Sequence, residues 1–360
     1  MHLDDLLEEN KPLAPFTTLG IGGPARWFLE ATSEEAIVEA AAWARERRLN
    51  LFVLGGGSNL VVSDAGFDGL VMHVAMRGIS TDNAGDGRRT YRVAAGEDWD
   101  GFVQRSIEEN CAGIECLAGI PGTVGGTPVQ NVGAYGQEVS STIGRVRGFD
   151  LERHKFVEFT AQECGFAYRR SRFNTVDRGR YIVTGVDYRL TPGGAPSIRY
   201  ADLRKALAGN DEPSLREAAD AVRRIRLGKG MLLVDGDPDC RSAGSFFKNP
   251  VVGENHAVRI AVICGEEPPR FPAGEGLENA GKVKIPAAWL IERAGFAKGY
   301  RLGAAGISSR HTLALINVGG ATAAEILSLA DAIRQAVRAR FEVELEMEPV
   351  LLGFDESTTG

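Results

Sequence analysis

The chain has 360 residues, of which 44% are hydrophobic, and its formal net charge is −7 at pH 7. At about 150 residues per domain, this length indicates two or three domains and excludes a single small module. The excess of acidic residues excludes an overall field that attracts nucleic acid or an anionic membrane surface, so any anionic ligand must be bound by local positive charges.

The N-terminal residues and the cysteines favour a cytoplasmic protein. The sequence Met1-His2-Leu3-Asp4-Asp5 is acidic and precedes no apolar run, which argues against a secretory signal. No stretch approaches the roughly 18 apolar residues of a membrane span. The five cysteines have irregular spacing and form no Cys-x-x-Cys pair, which favours reduced thiols.

The first predicted elements lead into a glycine-rich loop. Thr32-x-x-Glu35 is a capping box, and the apolar residues after it predict a helix over 33–48. Residues 51–54 read as a buried strand, and 60–62 resume a β-type apolar run. The loop between them, Gly55-Gly56-Gly57-Ser58-Asn59, is therefore predicted to join two strands.

A second glycine-rich segment follows a helix predicted over 98–110. Residues 119–136 contain too much glycine and proline for a helix to form. Short β-type runs between 143 and 192 predict a mixed sheet. Polar stretches at 191–196 and 209–213 predict a domain junction.

The C-terminal part has three helix signals and one strand signal. Ser214-x-x-Glu217 and Thr322-x-x-Glu325 are capping boxes, and Pro286 stands at the start of another helix. Residues 341–348 alternate strictly between apolar residues and glutamates, which predicts a strand with four glutamates on one face. Together with the preceding elements, these signals indicate an α+β fold.

Glycine-rich turns can bind a diphosphate, because their backbone N–H groups are open to a close approach. Neither loop ends in the Lys-Ser/Thr of a P-loop, and neither fits the dinucleotide motif Gly-x-Gly-x-x-Gly between a strand and a helix. Each loop taken alone is also compatible with a tight turn that binds nothing. The pair resembles the two loops of the FAD-binding domain of the vanillyl-alcohol-oxidase (PCMH) type.

Further segments narrow the resemblance to one family. The two most specific are Pro128-Val129-Gln130-Asn131-Val132-Gly133-Ala134-Tyr135-Gly136 and Ala243-Gly244-Ser245-Phe246-Phe247-Lys248-Asn249-Pro250. Similarity extends to 18–23, 166–171, 285–291 and 311–317, in the expected order along nearly the whole chain. Together these segments resemble the UDP-N-acetylenolpyruvoylglucosamine reductase family.

The resemblance implies a division into three parts and an activity. FAD-binding subdomain 1 is expected at 1–73, joined by 341–360, FAD-binding subdomain 2 at 74–208, and an α+β domain that binds the UDP-sugar at 214–340. The implied activity is the reduction of UDP-N-acetylglucosamine enolpyruvate to UDP-N-acetylmuramate in peptidoglycan precursor synthesis. The implied cofactor is non-covalent FAD, and the implied reductant is NADPH.

Hydride addition to an enolpyruvyl double bond requires a cation, a hydrogen-bond donor and a proton source. Arg169 carries a permanent planar charge suited to a carboxylate, although an arginine taken alone is most often a surface charge. The resemblance implies that Arg169 binds the substrate carboxylate and that Ser245 is the general acid. The developing alkoxide of Ser245 then needs a nearby cation, for which Lys229 and Lys248 are the candidates.

Glu348 is the third residue to which the resemblance gives a catalytic role, beside the enol carboxylate. Its surroundings depart from the family pattern. The family usually reads Leu-Glu-Pro-Glu-Val-Arg, whereas this chain reads Leu345-Glu346-Met347-Glu348-Pro349-Val350. The other glutamates of the alternating segment are expected to be solvated charges on an edge strand.

The resemblance also implies two sets of ligand-binding residues. Tyr200 matches the tyrosine of the subclass in which a mobile loop closes over the nucleotide diphosphate, whereas a lone histidine such as His311 is more often a surface or capping residue. The residues expected to bind the cofactor are Gly55, Gly56, Gly57, Ser58, Asn59, Gly119, Ile120, Pro121, Gly122, Thr123, Gly125, Gly126, Asn131, Gly133 and Ala134. The residues expected to bind the substrate are Tyr135, Tyr200, Lys229, Lys248, Asn249 and His311.

Two alternative functions remain open at this point. One is a flavin oxidase of the same fold that acts on a hydroxy acid or a sugar lactone. The other is a non-enzymatic sugar-nucleotide-binding protein whose glycine loops are simple turns. We expect no metal site, because the remaining histidines lack ligand spacing, and no obligatory protein partner. Covalent flavin attachment is not expected, because neither glycine loop contains His or Cys, although folding can bring Cys116 close.

Overall fold

The structure is a computed structural model that describes residues 3–83, 85–273 and 280–354. These residues form seven α-helices and twenty strands. The helices are α1 (Glu34–Glu46), α2 (Trp99–Glu108), α3 (Ala201–Ala206), α4 (Leu215–Gly228), α5 (Glu254–Cys264), α6 (Ala287–Arg293) and α7 (Ala323–Phe341). The strands are β1 (Glu8–Pro12), β2 (Pro24–Ala31), β3 (Asn50–Leu54), β4 (Leu60–Val62), β5 (Phe67–Val74), β6 (Ile79–Asn83), β7 (Arg89–Ala94), β8 (Cys111–Ala112), β9 (Gly133–Ala134), β10 (Gln137–Glu138), β11 (Ile143–Asp150), β12 (Lys155–Thr160), β13 (Tyr181–Pro192), β14 (Val251–Gly253), β15 (Phe271–Pro272), β16 (Lys282–Lys284), β17 (Arg301–Leu302), β18 (Ala305–Ile307), β19 (Leu315–Asn317) and β20 (Val350–Leu352).

The chain divides into two compact units, each assembled from separate stretches of sequence. The first unit consists of Met1–Lys11, Pro24–Gly57 and Phe67–Gly228, and the second of Pro12–Gly23, Ser58–Gly66 and Lys229–Gly360. Helix α4 therefore belongs to the first unit. The division into three parts at 1–73 with 341–360, 74–208 and 214–340 is finer and stays a prediction, and its last residues, 355–360, lie outside the described part of the chain.

The first unit contains two main sheets. In one, the strand order is β1-β2-β5-β3, and β5 pairs in parallel with both β2 and β3. In the other, the order is β12-β11-β13-β7-β6, and the strands pair antiparallel. The prediction of a mixed sheet over 143–192 is therefore wrong, because β11 and β12 form a hairpin and β13 returns antiparallel beside β11.

Helix α2 packs its apolar face on the antiparallel sheet. Trp99 and Phe102 of α2 are fully buried, with ring centroids 5.7 Å and 5.1 Å from that of Tyr188 in β13. Asp98 caps α2 by accepting a hydrogen bond from Gly101 N–H at 2.7 Å. This packing fixes the start of the second glycine-rich segment, since Trp99 Nε1 also donates to the carbonyl of Leu117 at 3.2 Å.

The second unit is built around α7. Thr322 and Glu325 form the predicted capping box at its start, and the apolar stripe of Ile326, Leu329, Ile333 and Val337 is fully buried. Among the described residues, the sheets of this unit have the orders β14-β16-β15, β17-β18-β19 and β20-β4, and β20 runs parallel to β4. The prediction that 55–59 joins two strands is confirmed, although β3 and β4 belong to different sheets.

Two local predictions need correction. The N-cap of α1 is Ser33, whose side chain accepts from Ala36 N–H at 3.2 Å, so the helix begins one residue later than the Thr32 box indicates. Helix α7 continues to Phe341 and ends at Glu342, which has a left-handed φ of 56°. Residues 343–346 keep the alternation of buried Val343 and Leu345 with exposed glutamates, but they form no regular strand.

None of the helices in the described residues combines the length and the hydropathy needed to cross a membrane.

Candidate active site

The two glycine-rich loops meet backbone to backbone in the first unit. A Cβ placed on Gly56 would lie 2.5 Å from the Cα of Gly122 and 3.1 Å from the amide nitrogen of Thr123. A Cβ on Gly55 would lie 2.9 Å from the Thr123 hydroxyl oxygen. Gly122 also has a φ of +135°, which L-residues with side chains rarely adopt. Glycine is thus required at 56 for this close approach and at 122 for the backbone conformation.

Three charged side chains hold the start of the second loop. Asp100 of α2 accepts from Gly119 N–H at 2.6 Å, and Arg226 of α4 donates to the Gly119 carbonyl at 3.0 Å. Arg223 donates to the other oxygen of Asp100 at 2.5 Å. Burial lowers the pKa of Arg226, an effect that the neighbouring Tyr135 and Asp100 oppose.

The sequence contains a signal for Arg226 that lies outside the recognised motifs. Arg226 lies on the buried stripe of α4 that also contains Leu215 and Val222, where an apolar residue is expected. A charged residue on an otherwise apolar helical face is usually buried for a specific partner, which here is Gly119.

The residues of the paired loops fit a dinucleotide diphosphate. Side chains are missing where the two loops approach, and a methyl group at position 56 would clash with the Gly122 backbone. Backbone amides that are bare of side chains can approach phosphate oxygens. Cys116 is not placed for covalent flavin attachment, since it is fully buried and its thiol donates to the carbonyl of Ser197 at 3.1 Å. Burial raises the pKa of this thiol, which disfavours the reactive thiolate.

Asn131 braces the second loop through its side chain. Its Oδ1 accepts from Ser140 N–H at 3.1 Å, and its Nδ2 donates to Glu138 at 2.8 Å and to the carbonyl of Ala167 at 3.1 Å. Asn131 itself has a left-handed φ of 48°. The carboxamide thus ties the loop to the turn that contains Arg169.

Arg169 occupies a strained two-residue turn. Ala167 and Arg170 exchange backbone hydrogen bonds of 2.9 and 3.1 Å around it, and Arg169 has a φ of 55°. This left-handed conformation costs a non-glycine residue about 1–3 kcal/mol and persists only where the surroundings impose it. Asn174 supplies one such restraint by donating to the Arg169 carbonyl at 3.1 Å.

The tyrosines predicted to bind substrate lie together in the first unit. The ring centroids of Tyr135 and Tyr200 are 5.5 Å apart, and the rings are nearly perpendicular at 88°. Tyr135 is 9% exposed, whereas Tyr200, the N-cap residue of α3, is 42% exposed. An edge-to-face pair with one ring at the surface can form part of a ligand-binding wall.

Ser245 and Glu348 belong to adjacent, hydrogen-bonded segments of the second unit. Glu348 N–H donates to the carbonyl of Phe246, and Lys248 N–H donates to that of Glu346, both at 2.9 Å. These bonds flank a bridge between Phe247 and Met347. The segment of Ser245 is further fixed because Phe246 is fully buried and donates its N–H to the Leu313 carbonyl at 2.8 Å.

Asn59 fastens the altered motif around Glu348. Its Nδ2 donates to the Glu348 carbonyl at 3.2 Å, and its own carbonyl accepts from Val350 N–H at 3.0 Å. Pro349 restricts Glu348 to extended backbone conformations. The Glu348 backbone is therefore restrained in this chain even though the proline stands on the other side of the glutamate.

The remaining polar residues predicted to bind substrate have definite partners. The ammonium of Lys248 pairs with Glu346, and Asn249 Oδ1 accepts from Ala287 N–H at 2.9 Å, at the start of α6. Burial lowers the pKa of His311 to about 4, and the positive charges of Lys229 and Lys298 add to this effect. His311 Nδ1 accepts from Leu313 N–H at 3.1 Å, so the neutral ring carries its proton on Nε2.

The predicted residues are divided between the units. The first unit contains Gly55, Gly56, Gly57, Gly119, Ile120, Pro121, Gly122, Thr123, Gly125, Gly126, Asn131, Gly133, Ala134, Tyr135, Arg169 and Tyr200. The second unit contains Ser58, Asn59, Lys229, Ser245, Lys248, Asn249, His311 and Glu348. The structure thus groups the glycine loops with Arg169, and Ser245 with Glu348.

Comparison with known proteins identifies the family. Residues 25–151 match the family model of an FAD binding domain, and 237–352 match that of the UDP-N-acetylenolpyruvoylglucosamine reductase C-terminal domain. The reductase of that name from Thermobifida fusca is 46% identical over 96% of this chain and 97% of its own length. The one from Streptomyces coelicolor is 45% identical over 95% and 89%.

A solved structure is similar to this one over nearly the whole length of both chains. UDP-N-acetylenolpyruvylglucosamine reductase from Thermus caldophilus superposes with a TM-score of 0.65 and 27% identity, over 96% of this chain and 98% of that one. The predicted family and fold are thereby confirmed: the chain belongs to the UDP-N-acetylenolpyruvoylglucosamine reductases.

Proposed function

We propose that this protein uses NADPH and FAD to reduce UDP-N-acetylglucosamine enolpyruvate to UDP-N-acetylmuramate, a step in peptidoglycan precursor synthesis. The observation that carries the proposal is the match, over 96% of the chain, to a relative named for this reductase. The close approach of Gly56 to Gly122 supports it independently, since backbone amides that are bare of side chains can approach phosphate oxygens. We also expect the protein to act in the cytoplasm.

The cofactor is assigned to the paired loops and to the residues that flank them. FAD, when bound, supplies the hydride that originates from NADPH. The residues proposed to hold it are Gly55, Gly56, Gly57, Ser58, Asn59, Gly119, Ile120, Pro121, Gly122, Thr123, Gly125, Gly126, Asn131, Gly133 and Ala134.

Arg169 is proposed to bind the enolpyruvyl carboxylate. A guanidinium forms paired, charge-assisted hydrogen bonds with a carboxylate, and it stabilises the negative charge that develops when hydride adds to C3. The strained turn supports this role, because a backbone held in a costly conformation positions the side chain before the substrate arrives.

Ser245 is proposed to donate the proton to C2, which completes the D-lactyl ether. A serine hydroxyl is a weak acid, so Lys229 or Lys248 is proposed to stabilise the alkoxide. Glu348 is proposed to assist Arg169 at the carboxylate. It can stabilise developing negative charge only as a hydrogen-bond donor, and therefore only in its protonated form.

The nucleotide part of the substrate is assigned to six polar or aromatic residues. Tyr200 is proposed to close over the diphosphate, and the neutral His311 can donate a hydrogen bond from Nε2. The proposed set consists of Tyr135, Tyr200, Lys229, Lys248, Asn249 and His311.

The proposal is tested by the visible spectrum of the purified protein under anaerobic conditions. We expect flavin absorbance that NADPH bleaches and that UDP-N-acetylglucosamine enolpyruvate restores. UDP-N-acetylglucosamine without the enolpyruvyl group is the matched control and should restore nothing. A colourless protein would contradict the proposal.

An oxidase of the same fold would behave differently. Its reduced flavin would be reoxidised rapidly by O₂ and would not respond to the enolpyruvyl substrate. The relatives at 45–46% identity that carry the reductase name favour the reductase over this alternative.

A further inference from the structure

A buried carboxylate outside the proposed catalytic set holds the segment that leads to Tyr200. Glu115, immediately before Cys116, is 1% exposed. Its Oε1 accepts from Ser197 N–H at 2.8 Å, and its Oε2 accepts from Gly113 N–H at 2.8 Å. Ser197 lies three residues before Tyr200 in the sequence, so Glu115 fixes the base of the Tyr200 segment.

The next residue, Cys116, binds the other backbone group of Ser197. Its thiol donates to the Ser197 carbonyl at 3.1 Å. Burial, followed by the negative charge of Glu115, raises the pKa of this thiol, which therefore keeps the proton it donates. Both backbone polar groups of Ser197 are thus bonded to side chains of two consecutive residues, an arrangement that restrains position and orientation together.

Gln137 extends the same network to the segment of Tyr135. Its Nε2 donates to Glu115 Oε1 at 2.7 Å, and its Oε1 accepts from Cys116 N–H at 2.7 Å. Gln137 pairs with Ala134 across the turn that contains Tyr135. One carboxylate therefore connects the two segments whose tyrosine rings meet edge to face at 5.5 Å.

The network requires an acceptor-only group at position 115. Three N–H groups, from Gly113, Ser197 and Gln137, converge on the two oxygens of Glu115. An ionised carboxylate accepts at both oxygens, whereas an amide of the same shape presents N–H donors at one end. Replacing the buried carboxylate by this amide would place an N–H donor opposite another N–H donor and leave an N–H group without an acceptor.

We propose that Glu115, together with Gln137, is a positioning residue that holds Tyr200 against Tyr135 and thereby sets the affinity for the diphosphate of the UDP-sugar substrate. This inference rests on the proposed function, in which Tyr200 closes over that diphosphate. The residue acts through the Ser197 backbone and does not itself contact the substrate.

The test is Glu115→Gln in the full chain with FAD bound. We expect KM for the enolpyruvyl substrate to rise about tenfold, the effect of one lost charge-assisted hydrogen bond, while kcat changes little. Amide hydrogen exchange should accelerate at 197–203. The double variant Glu115→Gln/Gln137→Glu restores a carboxylate to the pair and should recover part of the affinity.

Glu108→Gln is the matched control, because Glu108 is an exposed glutamate of α2 that bonds only to Gln104 among the contacts seen for it. It should leave KM and exchange unchanged. Unchanged KM and unchanged exchange in Glu115→Gln would overturn the inference while leaving the proposed function intact. Failure of the wild-type protein to reduce the substrate would instead contradict the proposed function.

A second variant covers the case in which Glu115→Gln does not retain FAD. Cys116→Ala removes only the thiol that binds the Ser197 carbonyl. We expect a smaller rise in KM with kcat preserved. If KM for the substrate equals that of the wild type in Cys116→Ala, the inference is wrong.

Discussion

The paired glycine loops of the first unit and the Ser245–Glu348 region of the second are held together by different means. In the loops, the contact is steric, and a single Cβ at Gly56 would come within 2.5 Å of Gly122. In the Ser245–Glu348 region, backbone hydrogen bonds of 2.9 Å join two extended segments. A steric contact between two backbones leaves no room for a side-chain atom, whereas a ladder of backbone hydrogen bonds can form with many different side chains.

This difference explains how the motif around Glu348 can depart from the family pattern. The bonds use the backbone groups of Glu346 and Glu348, and the bridge between Phe247 and Met347 lies between them. In this register the backbone N–H groups of 347 and 349 point away from the partner segment. A proline at either position therefore leaves the Glu348 N–H available for its hydrogen bond to Phe246. The proline can therefore change sides without loss of the pairing.

The largest expected effect is that of Ser245→Ala on the second half-reaction. Removal of a positioned general acid lowers a rate roughly 10²–10⁴-fold, whereas reduction of the flavin by NADPH does not need this proton. Stopped-flow absorbance measures both half-reactions separately. Ser242→Ala is the control for a loosened turn, because its hydroxyl accepts from Gly244 N–H at 3.3 Å. Fast reoxidation by substrate in Ser245→Ala would show that another group is the acid.

Gly56→Ala tests the steric contact of the first unit. The added methyl group must displace the Gly122 backbone, and overpacking of this kind costs about 1–3 kcal/mol. We expect the purified variant to contain much less FAD per chain, measured as the ratio of visible to ultraviolet absorbance. Gly85→Ala is the control, since a Cβ there meets nothing within 4 Å. Equal flavin content in both variants would mean that the two loops do not bind the cofactor jointly.

Asn174→Ala tests whether the strained turn positions Arg169. The variant loses the bond to the Arg169 carbonyl and the one from Ser171 N–H. A hydrogen bond contributes about 1 kcal/mol, so we expect kcat/KM for the enolpyruvyl substrate to fall roughly five- to tenfold with normal flavin reduction. The control is Asn210→Ala, whose exposed amide bonds to Glu217. Identical kcat/KM in the two variants would argue against a positioning role.

The sequence correctly predicted the structural features that depend on residues close together along the chain. The capping boxes at Ser214 and Thr322 and the two glycine loops are defined by residues a few positions apart, and the structure contains all of them. The family prediction had a similar basis, in short segments arranged in order, and the relatives confirm it. The pairing direction of the strands over 143–192 was predicted wrongly, because it depends on connections that local patterns do not specify.

The residues that sequence reasoning missed act over long separations. Arg226 lies 107 positions from Gly119, and Glu115 lies 82 positions from Ser197. Glutamate and arginine are common on surfaces, and although the apolar stripe of α4 indicates that Arg226 is buried, the folded chain is needed to show which backbone groups the two residues bind. The loops could be predicted because clusters of glycine indicate tight turns in the sequence itself. A single charged residue does not indicate which loop or segment it will hold.

The smallest expected effect is a pH dependence of stability that His311 introduces. Its folded pKa is about 4, below the usual 6.5. Below about pH 6.5 the unfolded chain takes up a proton at this position that the folded protein does not, so the free energy of unfolding falls as the pH is lowered toward 4. His311→Gln lacks this contribution. Urea unfolding of both proteins should show that the wild type loses stability more steeply than the variant as the pH falls from about 6.5 toward 4. Parallel curves would show that His311 titrates normally.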